Sequence, residues 1–202
     1  MYKTVNGGDS WLTTTLHNVP VQAVLAVDSQ TLYAGATNPW DDDQKAGVYK
    51  SPDAGATWQH IGLQGISIRL LQAAPDHPKT IYAGAMGDGL YISHNGGLTW
   101  EHKLEGYDPW SLAINPDDPD NLFIAVNREI HVSWDGGETW QLYYEASEFE
   151  GAPRALYFKP DASPAALKAN SPQATLLLGN SRGLYRMEPV PEYHLFLAIV
   201  QK

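Results

Sequence analysis

The 202-residue chain contains no cysteine. Disulfide stapling, zinc–thiolate sites and thiol catalysis are thereby excluded. Positive charge is scarce: 13 Lys and Arg face 23 Asp and Glu, for a net charge of −10. No basic patch is available to neutralise phosphates, so no nucleic-acid partner is expected. Long apolar runs are also missing. The C-terminal stretch Leu195-Phe196-Leu197-Ala198-Ile199-Val200 is too short to span a bilayer and reads as a strand. The first eight residues, Met1 to Gly8, lack the apolar core of a secretory signal, so no signal peptide is expected, and the compartment stays open. No segment of useful length carries a helical period. The seven histidines are scattered, with neither His-x-His nor His-Glu-x-x-His spacing, and read as surface or turn residues. No metal and no cofactor are expected.

What the chain has in abundance is one phrase. Ser133-Trp134-Asp135-Gly136-Gly137-Glu138-Thr139-Trp140 recurs as Ser51-Pro52-Asp53-Ala54-Gly55-Ala56-Thr57-Trp58 and as Ser93-His94-Asn95-Gly96-Gly97-Leu98-Thr99-Trp100. A looser copy is Thr4-Val5-Asn6-Gly7-Gly8-Asp9-Ser10-Trp11. The shared pattern is Ser/Thr, any, Asp/Asn, any, Gly, any, Thr/Ser, Trp. Each of the three later copies follows a short apolar-alternating run, and each precedes another strand-like run beginning at the Trp. The phrase is therefore a hairpin connection. Its Asp or Asn accepts hydrogen bonds from backbone N–H groups just ahead. Gly at the fifth position suits a backbone with positive φ. The Trp suits a packed junction between neighbouring repeats. The residues Asn6, Trp11, Asp53, Trp58, Asn95, Trp100, Asp135 and Trp140 are accordingly read as structural.

A period near ~40–50 residues with strand-like flanks is the mark of a radial repeat architecture. The expected fold class is all-β: a small β-propeller of about four to five four-stranded blades, with one domain over 1–202. Its half repeat covers 1–16, and its full repeats cover about 21–62, 67–104, 109–144 and 153–200. The last repeat carries a long Ala-, Pro- and Ser-rich insertion, Pro160 to Gln173, and a decayed box at Met187 to His194. Pairing of N- and C-terminal strands would close the ring. An open fragment, or a ring completed by a partner or a second copy of the chain, is the alternative.

The phrase resembles the Asp-box, or BNR repeat, of sialidases, sortilin-type receptors, xyloglucan-degrading glycosidases and Ycf48-like assembly factors. The flanking phrases Pro75 to Gly84 and Asn115 to Ala125 are similar too, so the resemblance covers almost the whole chain. It implies that the boxes sit at the blade periphery, away from the face that binds ligands. That face is built from the turns between second and third strands and from the connections between repeats.

The candidate ligand-binding residues follow from that placement: Trp40, Asp41, Asp42, Asp43, Asp88, Tyr107, Asp108, Arg128, Arg154 and Arg182, with Asn127, Trp110, Glu148, Glu150 and Asn180 nearby. The triple Asp after Trp40 lacks the glycine-spaced pattern of a calcium loop and reads as a solvated turn. Arg128, Arg154 and Arg182 come from different repeats; if they converged they would grip a carboxylate. The N-terminal arginine motif of sialidases is missing. Tyr107, Asp108 and Trp110 suggest an aromatic sugar platform beside an acid. A glycosidase would need two carboxylates ~5–10 Å apart across the bond, drawn from Asp41, Asp42, Asp43, Asp88 and Asp108. The expected function is a non-catalytic binding or assembly scaffold that recognises a protein or a carbohydrate. A glycosidase-like hydrolase, or its remnant, is the alternative, and no catalytic residue is assigned.

Overall fold

A computed structural model of the chain describes residues 1–38, 44–147, 151–159 and 175–187. Every regular element among them is a β-strand. The chain divides into two compact units, Met1–Asp108 and Pro109–Lys202.

The first unit opens with a two-stranded sheet, β1 (Tyr2–Lys3) and β2 (Leu12–Thr13). Two four-stranded antiparallel meanders follow. The first is β3 (Val21–Ala26), β4 (Leu32–Ala36), β5 (Gly47–Ser51) and β6 (Gln59–Gly62). The second is β7 (Ile68–Ala74), β8 (His77–Ala85), β9 (Gly89–Ser93) and β10 (Glu101–Lys103). The second unit holds a third meander, β11 (Pro109–Asn115), β12 (Asp118–Val126), β13 (Glu129–Ser133) and β14 (Gln141–Glu145). A three-stranded sheet ends it: β15 (Ala155–Lys159), β16 (Thr175–Asn180) and β17 (Gly183–Met187). Within each unit neighbouring sheets pack on one another, β3 and β4 on β7, and β11 and β12 on β15, as propeller blades do, and the all-β propeller class is the observed one. The insertion at Pro160 to Gln173, the decayed box and the expected strand at Leu195 to Val200 lie outside the described residues, apart from Met187.

Packing follows the sequence closely. Tyr33, Val48, Ile68, Ile81, Ala83 and Ala85 form the core of the first unit. Small residues let the sheets approach: a Cβ on Gly35 would lie 2.7 Å from Ile68 Cγ2. Tyr33, 2% exposed, reaches from β4 into the next repeat, where its hydroxyl donates to the Gly96 carbonyl at 3.1 Å. In the second unit Phe123, Ile130, Leu156, Phe158, Leu176 and Leu178 make the core. Phe123 meets Tyr143 and Phe158 edge to face, with centroids at 4.7 and 5.6 Å. Ser111 bridges the two sheets there. Its hydroxyl accepts from Leu156 N at 3.0 Å and donates toward Leu156 O at 3.5 Å. One inner strand departs from expectation. The apolar run Val21 to Val27 suits a buried inner strand, yet Gln22, Val24 and Ala26 are exposed. In this unit only the short β1–β2 sheet precedes that meander, and nothing described in the unit covers the Val24 side.

Candidate functional site

The four boxes are one hydrogen-bonded device. In the Asp53 copy the Ser51 hydroxyl donates to Asp53 Oδ1 at 2.9 Å and accepts from Gly55 N at 2.8 Å. Asp53 then takes Thr57 N at 2.7 Å and the Thr57 hydroxyl at 2.6 Å. Trp58 Nε1 donates back to Gly55 O at 3.1 Å. The Ser133–Trp140 copy repeats each of these bonds. In the Asn95 copy the last side-chain bond reverses, because an amide has a donor to offer: Asn95 Nδ2 donates to Thr99 Oγ1 at 2.7 Å. Asn6 does the same with Ser10 at 2.9 Å. The fifth position has φ between 83° and 103° in all four copies, as its glycine predicts, and the fourth position is also left-handed: Gly7, Gly96, Gly136 and even Ala54, at φ 55°.

The Trp at the end of the box meets its expected role most clearly at Trp100. A Cβ on Gly62 of the preceding repeat would lie 2.7 Å from its Nε1. That indole nitrogen is buried without a partner. Trp11, by contrast, is 61% exposed.

Three donors hold Asp53 and Asp135 ionised, and the threonine hydroxyl is the strongest of them. Each carboxyl is lowered to about 2. The sign of the linkage is fixed by that depression. The stabilisation is complete above the unfolded aspartate value near ~4 and is lost as pH falls through about 2. Melting temperature should therefore drop between pH ~4 and ~2 in the native chain. In an Asp53→Asn, Asp135→Asn variant the slope over that window should be shallower, since Asn95 and Asn6 show that an amide sustains the turn. An unchanged slope would mean these carboxylates do not contribute.

At the opposite end of the second meander, β8 turns into β9 through Met86 to Asp88, and the predicted residues Asp88, Tyr107 and Asp108 gather there. Asp108 Oδ2 pairs with Arg69 Nη1 at 3.2 Å, and its Oδ1 accepts from Gly87 N at 3.0 Å. Asp88 Oδ2 accepts from the Tyr91 hydroxyl at 2.8 Å. Burial, with Asp88 adding to it, pushes the Tyr91 phenol up to about 12. The Asp88 carbonyl accepts from His102 Nε2 at 2.8 Å and from Gly106 N at 3.2 Å. Tyr107 closes the adjoining turn through its N–H to Leu104 O at 3.3 Å.

Sequence reasoning missed the histidines here. His102 stacks flat on Tyr91, with centroids 4.3 Å apart and planes 2° from parallel. His60 makes an edge contact with Tyr49 at 4.7 Å and bonds the Ala46 carbonyl at 3.1 Å. Tyr49 faces His60 and Tyr91 faces His102 across the last two strands of their sheets. The signal was present: each histidine stands two residues after a box Trp. In the third meander His131 takes the tyrosine's place and is buried, 2.6 Å from Glu129 Oε2. All three lie in strands; His60 and His102 stay exposed, as expected, and His131 departs from the surface or turn reading by being buried.

In the second unit the arginines hold separate partners. Arg128 donates through Nε and Nη2 to the Ala146 carbonyl, at 3.3 and 3.0 Å, and through Nη2 to the Ser147 carbonyl. The Arg154 guanidinium lies 3.5 Å over the half-buried Trp110 ring. Arg182 is exposed in the β16–β17 turn, where its N–H binds Asn180 Oδ1 at 2.9 Å. Trp40, Asp41, Asp42, Asp43, Glu148 and Glu150 lie outside the described residues. Among the described residues no three His, Asp or Glu side chains are grouped to hold a metal ion, and no helix is long and apolar enough to cross a membrane.

No family model matches the chain. It is 33% identical over 141 residues to a xyloglucanase of Hypocrea jecorina (strain QM6a), covering 58% of this chain and 16% of that protein. Among solved structures it resembles an ancestral GH74 enzyme, with a TM-score of 0.64, 23% identity, and coverage of 83% of this chain and 22% of that one. It also resembles YCF48 bound to a D1 peptide, with a TM-score of 0.58, 14% identity, and coverage of 91% and 54%. The chain thus spans less than a quarter of the length of either enzyme and about half that of YCF48.

Proposed function

We propose that this chain, a β-propeller protein of the BNR/Asp-box type, is a non-catalytic recognition module that takes a protein or glycan ligand on the loop ends opposite its boxes. One observation carries the reading. Four of the charged groups described there are tied into the fold: Asp108 by Arg69 and Gly87, Asp88 by Tyr91, Arg128 by two backbone carbonyls, and Arg154 by Trp110. Their hydrogen-bonding capacity is largely taken up by the fold, which supports a role in shaping a recognition surface. Tyr107 in the first unit and Arg182 in the second are each a proposed point of contact, the candidates Trp40 to Asp43 lie outside the described residues, and YCF48 with its bound peptide offers a precedent for recognition on this fold.

The identity to a xyloglucanase favours a second reading, a glycosidase-like hydrolase or its remnant. Incubation with xyloglucan and a panel of aryl glycosides separates the two. We expect reducing-end release at background, unchanged in Asp88→Asn and Asp108→Asn, together with calorimetric binding of a glycan or peptide that Arg182→Ala weakens. Turnover that falls ~100-fold or more in either aspartate variant would replace the binding reading with the hydrolase one.

A further inference from the structure

The tripeptide Asn-Gly-Gly occurs twice, at Asn6-Gly7-Gly8 and at Asn95-Gly96-Gly97, each time as positions three to five of a box. The two copies fold alike. Asn6 Oδ1 accepts from the Thr4 hydroxyl at 2.9 Å and Ser10 N at 3.1 Å. Asn95 Oδ1 accepts from Ser93 at 3.0 Å and Thr99 N at 2.9 Å. Both following glycines are left-handed, at φ 72° and 71°. The copies differ in the backbone nitrogen that follows the asparagine. Gly96 N donates to the Lys79 carbonyl at 2.8 Å, as Ala54 N does to Gln30 O and Gly136 N to Asp120 O. In each of those repeats the turn before the second strand, or the start of that strand, covers the box. Among the described residues no such turn covers the β1–β2 hairpin, and there Gly7 N makes no hydrogen bond. Around Gly7 nothing lies within 4 Å of a Cβ position, whereas at Gly96 the Tyr33 hydroxyl stands at 3.2 Å.

We propose that Asn6 is a site of spontaneous deamidation and that the same sequence at Asn95 is protected by the fold. The unbonded Gly7 amide nitrogen attacks Asn6 Cγ. The N–Cγ bond forms, the Cγ–Nδ2 bond breaks, and the amide proton leaves with the nitrogen as ammonia. Water then opens the five-membered imide. Opening at Cγ yields aspartate with the original backbone; opening at the main-chain carbonyl yields isoaspartate, with the chain rerouted through the side chain. No oxidant or reductant is involved. The two hydrogen bonds into Oδ1 favour the tetrahedral intermediate, because they stabilise its developing negative oxygen. At Asn95 the same polarisation is present, but the nucleophile must first break its bond to Lys79 O.

The products differ in consequence. Aspartate at position 6 reproduces the Asp53 device, since the Ser10 hydroxyl turns to donate as Thr57 does. Isoaspartate lengthens the backbone by one carbon and moves Oδ1 away from Ser10 N. The first product keeps the hairpin with one more negative charge, and the second opens it.

The test is peptide mapping of the intact chain after incubation at mildly alkaline pH and 37 °C. Each event adds about one dalton, and tandem mass spectra place it. Cleavage after Lys3 and after Lys79 puts the two asparagines on separate tryptic peptides. We expect Asn6 to react about fivefold faster than Asn95 or more, the factor that one amide hydrogen bond and its local opening supply. In strong denaturant the two rates should come within about twofold, since the flanking glycines are identical. A native-state gap below about fivefold, no gain at Asn6, or a gap that persists in denaturant would overturn the proposal.

Discussion

Gly89→Ala should lower the unfolding free energy by about 3 kcal/mol or more, enough to unfold a marginal domain near physiological temperature. Two independent costs meet at this position. Gly89 has φ 120°, where any Cβ is strained. The Cβ itself would lie 2.4 Å from the Leu104 carbonyl oxygen and 2.9 Å from that of Lys103. Those atoms are backbone, so no rotamer change relieves the clash. The strand must move instead, and the β9–β10 pairing of Leu90 with Lys103 goes with it. Gly7→Ala is the control: φ is 72°, but the space is open. It should cost only about 1–2 kcal/mol of left-handed strain. Urea unfolding followed by tryptophan fluorescence reads both. Gly89→Ala costing no more than Gly7→Ala would show that β10 does not hold its place against β9.

Gly89 also shows where the sequence was legible and where it was not. The boxes announced hairpins because their chemistry is local: serine, aspartate and threonine within seven residues satisfy one another. Those boxes then marked four of the five described sheets, and the β15–β17 sheet was found from its strand pattern alone. Strand limits were less legible. The strands after the boxes begin beyond the Trp, at Gln59, Glu101 and Gln141, since the indole belongs to the turn. The second strands of two repeats start earlier than their apolar residues, at His77 and Asp118, because the preceding turn pairs across Ala74–His77 and Asn115–Asp118. Long-range choices were hidden altogether. Nothing local says that Arg69 reaches Asp108, 39 residues on, or that Arg128 donates to the Ala146 carbonyl. Those partners are set by which turns the meander brings together, so the loop residues could be named from sequence while their occupations could not.

Ser133→Ala should cost about 2–3 kcal/mol, and Thr4→Ala, the same position in the first box, no more than about 0.5. The bonds removed are alike. Ser133 Oγ accepts from Gly137 N at 2.8 Å and donates to Asp135 Oδ1 at 2.8 Å. Thr4 Oγ1 accepts from Gly8 N at 2.9 Å and donates to Asn6 at 2.9 Å. Their surroundings differ. Ser133 is 1% exposed, so its loss leaves the Gly137 N–H in a site that water does not reach. It also takes a donor from a charged acceptor, where a hydrogen bond is stronger than between neutral groups. Around Thr4 the box lies open, and water replaces the hydroxyl at little cost. Equal losses in the two variants, measured as shifts of the urea midpoint at constant slope, would show that the box acts through its local turn alone. A large difference would show that a repeat stabilises its box by covering it. That is the same physical distinction that separates Gly7 N, unbonded among the described residues, from Gly96 N, which donates to the Lys79 carbonyl.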